Sequence, residues 1–234
     1  MSSIITRINE DFIDDEVIDG NTVSMDVRQN VQWLLAGLDT DIDFSAINEP
    51  LYKPKNMKEL FALIRICLKK YGNECSLNWI DVSGRHNFSK IFYNSKFNGD
   101  ISKWDVSQAV TMYQMFAESE FNGNLSSWDV SGVEDMSYMF SGAQFNNDSL
   151  KDWDVRNVNT MNGMFKFSEF NGDISEWEPR RVQDMSYMFY GSKFDRDISD
   201  WYVRFITRTE MFGKCPIRNE FKPLSMQSGH RERK

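Results

Sequence analysis

The stretch WDVSGVEDMSYMF, residues 128–140, is the clearest copy of a block that recurs along most of this chain. Its first residue has five counterparts, at spacings of 24, 24, 25, 24 and 24 residues: Ile80, Trp104, Trp128, Trp153, Trp177 and Trp201. A fixed period of this length is typical of repeat proteins, because one unit cannot bury its apolar side chains alone. The sequence therefore predicts six consecutive units that pack on one another.

Apolar residues hold fixed positions around each of these anchors. In the second unit Ile101, Trp104 and Val106 are separated by polar residues, which favours a short strand with one buried face. The step from Met112 to Met115 is typical of one inward-facing helical or 3₁₀ turn. We therefore predict an α/β repeat solenoid, a leucine-rich-repeat-like stack of six 24–25-residue units with a short parallel strand and a helical turn each, behind a helical N-terminal cap.

Each unit closes on turn residues, as in Phe121, Asn122 and Gly123. Paired side-chain oxygens recur in these turns, as at Asn171 and Asp173, and calcium-binding β-rolls use such oxygens as ligands. Those rolls have shorter repeats with more glycine, so we favour a ladder of asparagine side chains that satisfies the turn backbone. We expect no metal and no cofactor.

The residues before the first repeat have a different composition. Residues 1–50 carry eleven acidic and two basic residues, and an amphipathic helix is predicted from 27 to 38. A second helix is predicted from 57 to 71, with Asn56 as its N-cap and Gly72 as its stop. We predict four regions: an acidic extension with one helix (1–50), a capping helix and lead-in (51–76), a six-repeat solenoid (77–216), and a cap end with a basic tail (217–234).

The repeated block also resembles a known family. The residues from Trp128 to Phe140, framed by Phe121 and Gly123, resemble the repeat of BspA-type leucine-rich-repeat proteins, which also occurs in mycoplasma-type surface lipoproteins. The flanks 57–82 and 215–223 look like that family's lead-in and ending, so the resemblance spans about residues 51–223. It implies a fold and a habit of binding other molecules, and no particular reaction.

The sequence offers few groups for catalysis. Its two histidines, His86 and His230, lie in no nucleophile or metal motif. A carboxylate follows nearly every anchor, as Asp105 follows Trp104, and such repetition favours a structural column over a catalytic pair. We therefore predict that the protein is not an enzyme.

Composition also bears on the compartment. No apolar run approaches the roughly 18 to 20 residues that span a bilayer, and residues 1–10 lack the charge and apolar pattern of a signal peptide. The three cysteines are odd in number and share no ligand spacing, which is typical of a reducing compartment. As given, the sequence predicts a cytoplasmic protein; missing upstream sequence would allow the cell surface.

The repeats differ at one position that packing does not require. Three residues after the anchor, the first three units carry serine and the last three carry arginine. Arginine and tyrosine are enriched in protein interfaces. The partner-binding candidates are Arg156, Arg180, Arg181, Arg204, Arg208, Tyr202 and Phe205. The alternative is that each arginine pairs with a neighbouring acid, Asp154 or Glu178, and only neutralises the acidic column.

These observations favour a non-enzymatic scaffold that binds an intracellular protein partner through exposed faces of the repeats. The alternative, which the resemblance suggests, is a cell-surface or secreted adhesion module. The net charge of −8 disfavours nucleic-acid binding, since phosphate affinity rests on broad positive charge. The acidic stretch over residues 10–19 is either a partner-binding tail or a mimic of nucleic acid, or else a solvated segment that keeps the protein soluble. The partner and any self-association stay open.

Overall fold

The computed structural model describes residues 52–203 and 206–227. The chain divides into two compact units, Met1–Val82 and Ser83–Lys234. The helix predicted from 27 to 38 lies outside the described residues. The helical elements are α1 (Met57–Tyr71) and two 3₁₀ helices, Asn219–Phe221 and Leu224–Met226. The four-region division stays a prediction.

The helix predicted before the repeats is confirmed as α1. Asn56 caps it, since its side chain accepts a hydrogen bond from the backbone N–H of Glu59 at 2.9 Å. The Glu59 carboxylate, 3% exposed, accepts from the backbone N–H of Lys55 at 2.6 Å and from the hydroxyl of Tyr52. Burial, together with this carboxylate, raises the pKa of Tyr52 to about 12. The Glu59 carboxylate therefore joins the first turn of α1 to the two preceding residues Lys55 and Tyr52.

The predicted leucine-rich-repeat-like α/β solenoid is wrong. In the described part of the chain α1 is the one α-helix, and parallel pairing is limited to isolated bridges such as Thr111 with Asp135. Where a strand was predicted, the Trp104 N–H bonds the Ile101 carbonyl at 3.1 Å and closes a turn. The Trp128 indole donates to the same carbonyl at 3.1 Å. The Ile101 carbonyl therefore accepts from a turn N–H and from an indole, and does not pair with a neighbouring strand.

The predicted helical turn is a series of β-turns instead. Gln114 and Glu118 adopt φ of +53° and +57°, which a right-handed helix excludes. Met115 N–H bonds the Met112 carbonyl at 3.1 Å, and Ala117 N–H bonds that of Gln114 at 3.2 Å. We call residues 112–118 and their equivalents methionine turns; there are six, at 88–94, 112–118, 136–142, 161–167, 185–191 and 208–214.

Backbone hydrogen bonds join each methionine turn to the next. Alternate N–H groups, those of Met112, Gln114, Phe116 and Glu118, donate at 2.7–3.0 Å to carbonyls of the following turn: Asp135, Ser137, Met139 and Ser141. Four such bonds recur at all five junctions among the six turns. The repeats are therefore held by a regular ladder in which residues such as Gln114 and Glu118 are left-handed, which explains why residues 52–203 and 206–227 form isolated bridges and not strands.

The core between successive repeats is aromatic. The Phe116 ring stacks on that of Phe92 at 5.5 Å and on that of Phe140 at 5.4 Å between centroids. A second column places the Phe121 ring 5.9 Å from Phe97 and 6.3 Å from Phe145. These rings are at most 1% exposed, so the predicted inward positions are confirmed.

The predicted asparagine ladder is confirmed as well. The Asn98 side chain accepts from the Asn122 backbone N–H at 2.7 Å, and Asn122 accepts from Asn146 in the same way at 2.8 Å. The acid after the anchor folds back locally, as Asp105 accepts from the Ser107 N–H at 3.0 Å. Polar columns thus satisfy turn backbone, as the repetition indicated.

Candidate functional site

The predicted arginine strip begins with a paired side chain. Arg156 donates twice to the Asp154 carboxylate, from Nε at 2.8 Å and from Nη2 at 2.6 Å. This bidentate bond lowers the pKa of Asp154, and the Arg156 side chain is still 62% exposed. Its pKa is raised mainly by Asp154 and slightly by Glu178 of the next repeat. Arg156 therefore lies among carboxylates of two repeats.

The other strip residues are placed as follows. Arg180 Nη2 donates to Glu178 Oε1 at 2.8 Å, so it too is paired within its own repeat. Arg181 and Tyr202 are exposed, Tyr202 at 65%. Arg204 and Phe205 lie outside the described residues. These two ion pairs are the ones that the alternative interpretation predicts, in which each arginine neutralises a neighbouring acid. Partner binding by the strip stays a prediction.

Arg208 is exposed, although the equivalent residue of the preceding repeat is a buried methionine. The last repeat is one residue shorter than the others. This is seen from the bridge between Thr207 and Asp184 and from the hydrogen bond that Met185 N–H donates to Thr207 O at 2.8 Å. Arg208 therefore takes the place that Met185 and its equivalents fill in earlier turns. It is exposed, and its Nη1 donates to the Val203 carbonyl at 3.4 Å. Its side chain marks the end of the ladder.

A second surface, absent from the sequence-based candidates, groups three aromatic rings with two lysines: Lys166, Phe167, Tyr187, Tyr190 and Lys214. We call these five residues the aromatic–lysine cluster. Tyr190 packs edge-on against Phe167 at 5.4 Å and against Tyr187 at 5.8 Å between ring centroids. Lys166 Nζ lies 5.4 Å from the ring centroids of both Phe167 and Tyr187. Lys214 Nζ lies 5.2 Å from that of Tyr190.

Bulky rings in this cluster stand at left-handed positions that recur in every methionine turn. Phe167 has φ of +57° and is 55% exposed. The equivalent place is filled by glycine at Gly142 and Gly191 and by a polar residue with the same φ at Glu118. A left-handed conformation costs a non-glycine residue about 1–2 kcal/mol. The Phe167 ring covers Gly191, where a Cβ would come within 2.5 Å of it. Tyr187 is left-handed too, at φ +59°. The chain thus keeps bulky rings where glycine would be less strained.

Lysines give this surface a positive rim. A hydrogen bond with Tyr190 raises the pKa of Lys214 above its ordinary value. A smaller group of the same kind lies earlier in the repeats, where Tyr113 packs edge-on against Tyr138 at 6.3 Å and Lys90 Nζ lies 5.9 Å from the Tyr113 ring. Burial is the main cause that raises the pKa of Tyr113. Aromatic and basic groups therefore alternate on the turns.

The sequence did carry a signal for this cluster. Tyr138, Phe167 and Tyr187 interrupt columns in which other repeats have glycine, polar or charged residues. An aromatic residue at a turn position is not required for a core that two phenylalanine columns already fill. The signal was missed because Tyr138 and Tyr187 lie within the predicted helical turns, where residue type is less constrained, and Phe167 follows such a turn without belonging to it.

Within residues 52–203 and 206–227, no group of three or more His, Cys, Asp or Glu could hold a metal ion. The helices found there are too short or too polar to cross a membrane.

The repeats, ladder and turns define this chain as a repeat protein. Two overlapping stretches, residues 55–169 and 119–222, match the model of a family described as "Mycoplasma protein of unknown function, DUF285". Together they cover more than half of the 234 residues, and the chain belongs to this family. No curated protein matches the chain, and no solved structure matches it. The family description gives no activity, so function has to be argued from the surface.

Proposed function

We propose that this protein is a non-enzymatic scaffold that binds a protein partner through the aromatic–lysine cluster. The observation that carries the proposal is Phe167, which is left-handed and more than half exposed. The left-handed backbone recurs in every methionine turn, so what distinguishes Phe167 is its exposed ring at a strained position where packing does not demand an aromatic side chain. The narrower kinship to BspA-type leucine-rich-repeat proteins is part of the proposal and supports the same role.

The chemistry of the cluster supports a particular kind of partner. Exposed aromatic rings serve as anchors in protein interfaces, and few residues supply most of the binding free energy. Lys166 and Lys214 surround the rings with positive charge. We therefore expect a partner that offers an apolar side chain to Phe167 and carboxylates to the two lysines.

The test compares Phe167→Gly with wild type in capture of proteins from an extract of the source cells, read by mass spectrometry. Phe167→Gly relieves the left-handed strain, so we expect its stability to stay within about 1 kcal/mol of wild type while the captured partner is lost. Glu118→Gly is the matched control, since Glu118 holds the equivalent turn position at φ +57° without a ring. If Phe167→Gly and Glu118→Gly capture the partner equally well, the cluster is not part of the interface.

The arginine strip is tested in the same experiment. Changing Arg156, Arg180 and Arg204 to Glu reverses the charge of the strip and breaks its two described ion pairs, those with Asp154 and Glu178. If this triple variant loses the partner and Phe167→Gly keeps it, the strip is the binding surface and the cluster is not. Loss in neither variant would argue against both surfaces.

A further inference from the structure

The last methionine turn has an edge that every earlier turn has covered. At the five junctions, four alternate N–H groups of one turn donate to four carbonyls of the next. In the turn 208–214 the equivalent donors are the N–H groups of Arg208, Glu210, Phe212 and Lys214. Among residues 52–203 and 206–227 no acceptor bonds these four groups. We call them the open edge.

The residues that follow pack elsewhere on the same repeat. Arg218 N–H bonds Asp195 Oδ1 at 3.1 Å, and the Phe221 carbonyl accepts from Ile198 N–H at 2.9 Å. The Ser225 hydroxyl donates to the Val203 carbonyl at 3.1 Å. The described C-terminal segment therefore covers the anchor side of the last repeat and leaves the methionine-turn side uncovered.

The open edge is accessible and mainly positive. Arg208, Glu210 and Lys214 are exposed, and Phe212 is half-buried. Lys222 Nζ lies 5.7 Å from the Phe212 ring centroid, which places a third cation beside the turn. A row of unpaired backbone N–H groups itself attracts negative charge. The edge therefore favours a segment that supplies carbonyl oxygens and carries acidic side chains.

A second copy of this chain does not satisfy the edge. Two open edges cannot pair, because both present donors and no acceptors. Pairing with the first methionine turn of another copy would require its core rings, but Phe88 and Phe92 are at most 1% exposed within one chain. These two observations argue against a second copy, so we take the occupant to be a segment of a different polypeptide and test the protein's own chain as an alternative below.

We propose that the open edge binds the backbone of an acidic segment from another protein, which adds one methionine turn to the ladder. Adding a segment to an uncovered row of backbone groups is an established mode of peptide recognition. Each junction inside the chain shows the geometry of that complex, including a phenylalanine stacked on the ring below, as Phe212 stacks on Phe189 at 5.7 Å. This site is separate from the ring surface of Phe167, although Lys214 belongs to both.

The test uses a synthetic peptide of residues 133–143, VEDMSYMFSGA, which has two acidic residues and no basic one. In the intact chain its carbonyls accept all four bonds from the preceding turn. Hydrogen exchange of the full-length chain is followed by NMR with and without the peptide. We expect fast exchange at the four open-edge amides and a slowing of at least about tenfold with saturating peptide. The amides of Met185, Tyr187, Phe189 and Gly191 should be slow in both samples.

Three comparisons make the outcome decisive. A peptide carrying lysine for both acids and the variant Arg208→Gln should each bind several-fold more weakly, and Lys96→Glu, at an exposed lysine of the first repeat, should bind as wild type. Phe167→Gly should also bind the peptide normally, which separates this inference from the proposed function.

Protection without peptide would overturn the proposal, as would equal binding of the lysine peptide or no binding. Protection that grows with protein concentration would assign the edge to a second copy. Protection independent of concentration would assign it to the protein's own chain.

Discussion

An inner methionine turn and the last one differ in what lies on their second side. Residues 135–142 accept four backbone hydrogen bonds from the preceding turn and donate four to the following one. Residues 207–214 also accept four from the preceding turn, but within the described part of the chain they donate none to a following turn. The inner turn places Met136 in the core at 0% exposure, and the last turn places Arg208 in solvent at the same position. The difference teaches that burial in this protein is supplied by the neighbouring repeat and not by the repeat itself.

The largest effect is expected from exchanging the residues at this position. Met136→Arg buries a charge with no partner, which should cost more than about 4 kcal/mol and leave little folded protein. Arg208→Met should change the free energy of unfolding by less than about 0.5 kcal/mol, because the position is exposed. Urea unfolding followed by tryptophan fluorescence measures both. Similar costs at the two positions would show that the last turn is covered.

A smaller contrast is expected in the ring column. Phe140 stacks on Phe116 and on Phe165, so Phe140→Ala should cost about 3–5 kcal/mol. Phe212 has one stacked ring neighbour, Phe189, and is half-buried, so Phe212→Ala should cost roughly half as much. The same unfolding experiment applies. A loss at Phe212 equal to that at Phe140 would contradict the one-sided contact.

The asparagine ladder should show a contrast of about 1 kcal/mol. Asn146→Ala leaves the Asn171 backbone N–H without its acceptor at 2.8 Å, which should cost about 1 kcal/mol. Asn146→Asp keeps the acceptor and should recover most of that loss, since Asp195 already holds the equivalent place and accepts from Arg218 N–H at 3.1 Å. Thermal unfolding of wild type, Asn146→Ala and Asn146→Asp measures the three stabilities. If Asp fails to recover stability, the amide group and not the acceptor matters.

The smallest effect is expected where repeats differ on the surface. Arg156 lowers the pKa of Asp154 below its ordinary value of 3.8. The pair therefore stabilises the fold above pH 3.8, and this stabilisation is lost as the pH falls through the lowered pKa of Asp154. Because the pair is solvent-screened, Arg156→Ala should leave unfolding at neutral pH unchanged within error. NMR titration should show the pKa of Asp154 rising toward 3.8 in this variant. An unmoved pKa would show that the pair does not form in solution.

Sequence patterns predicted the side-chain columns better than the backbone. The capping residues at Asn56 and Gly72 located α1, and the period located the buried tryptophan, methionine and phenylalanine positions. The pattern at Ile101, Trp104 and Val106 misled, because alternation of apolar residues arises in a tight turn as well as in a strand. The residue Gln114 at φ +53° carries no glycine signal, so the left-handed turn was not predicted.

The candidate surfaces divide in the same way. The sequence located the arginines, but their pairing with Asp154 and Glu178 depends on side-chain geometry. The aromatic–lysine cluster required the structure, because Phe167 and Tyr190 come from different repeats and meet only when one repeat lies on the next. The open edge likewise depends on which backbone groups find acceptors.

By itself the sequence determined that this is a repeat protein, where its units begin, and which side chains are buried, because a fixed period repeats the same apolar and polar choices. The tertiary structure alone decided the backbone path and the exposed surfaces. Hydrogen bonds such as those from the Trp128 indole and the Phe116 N–H reach between repeats, more than twenty residues apart. Local propensity carries no information about such partners.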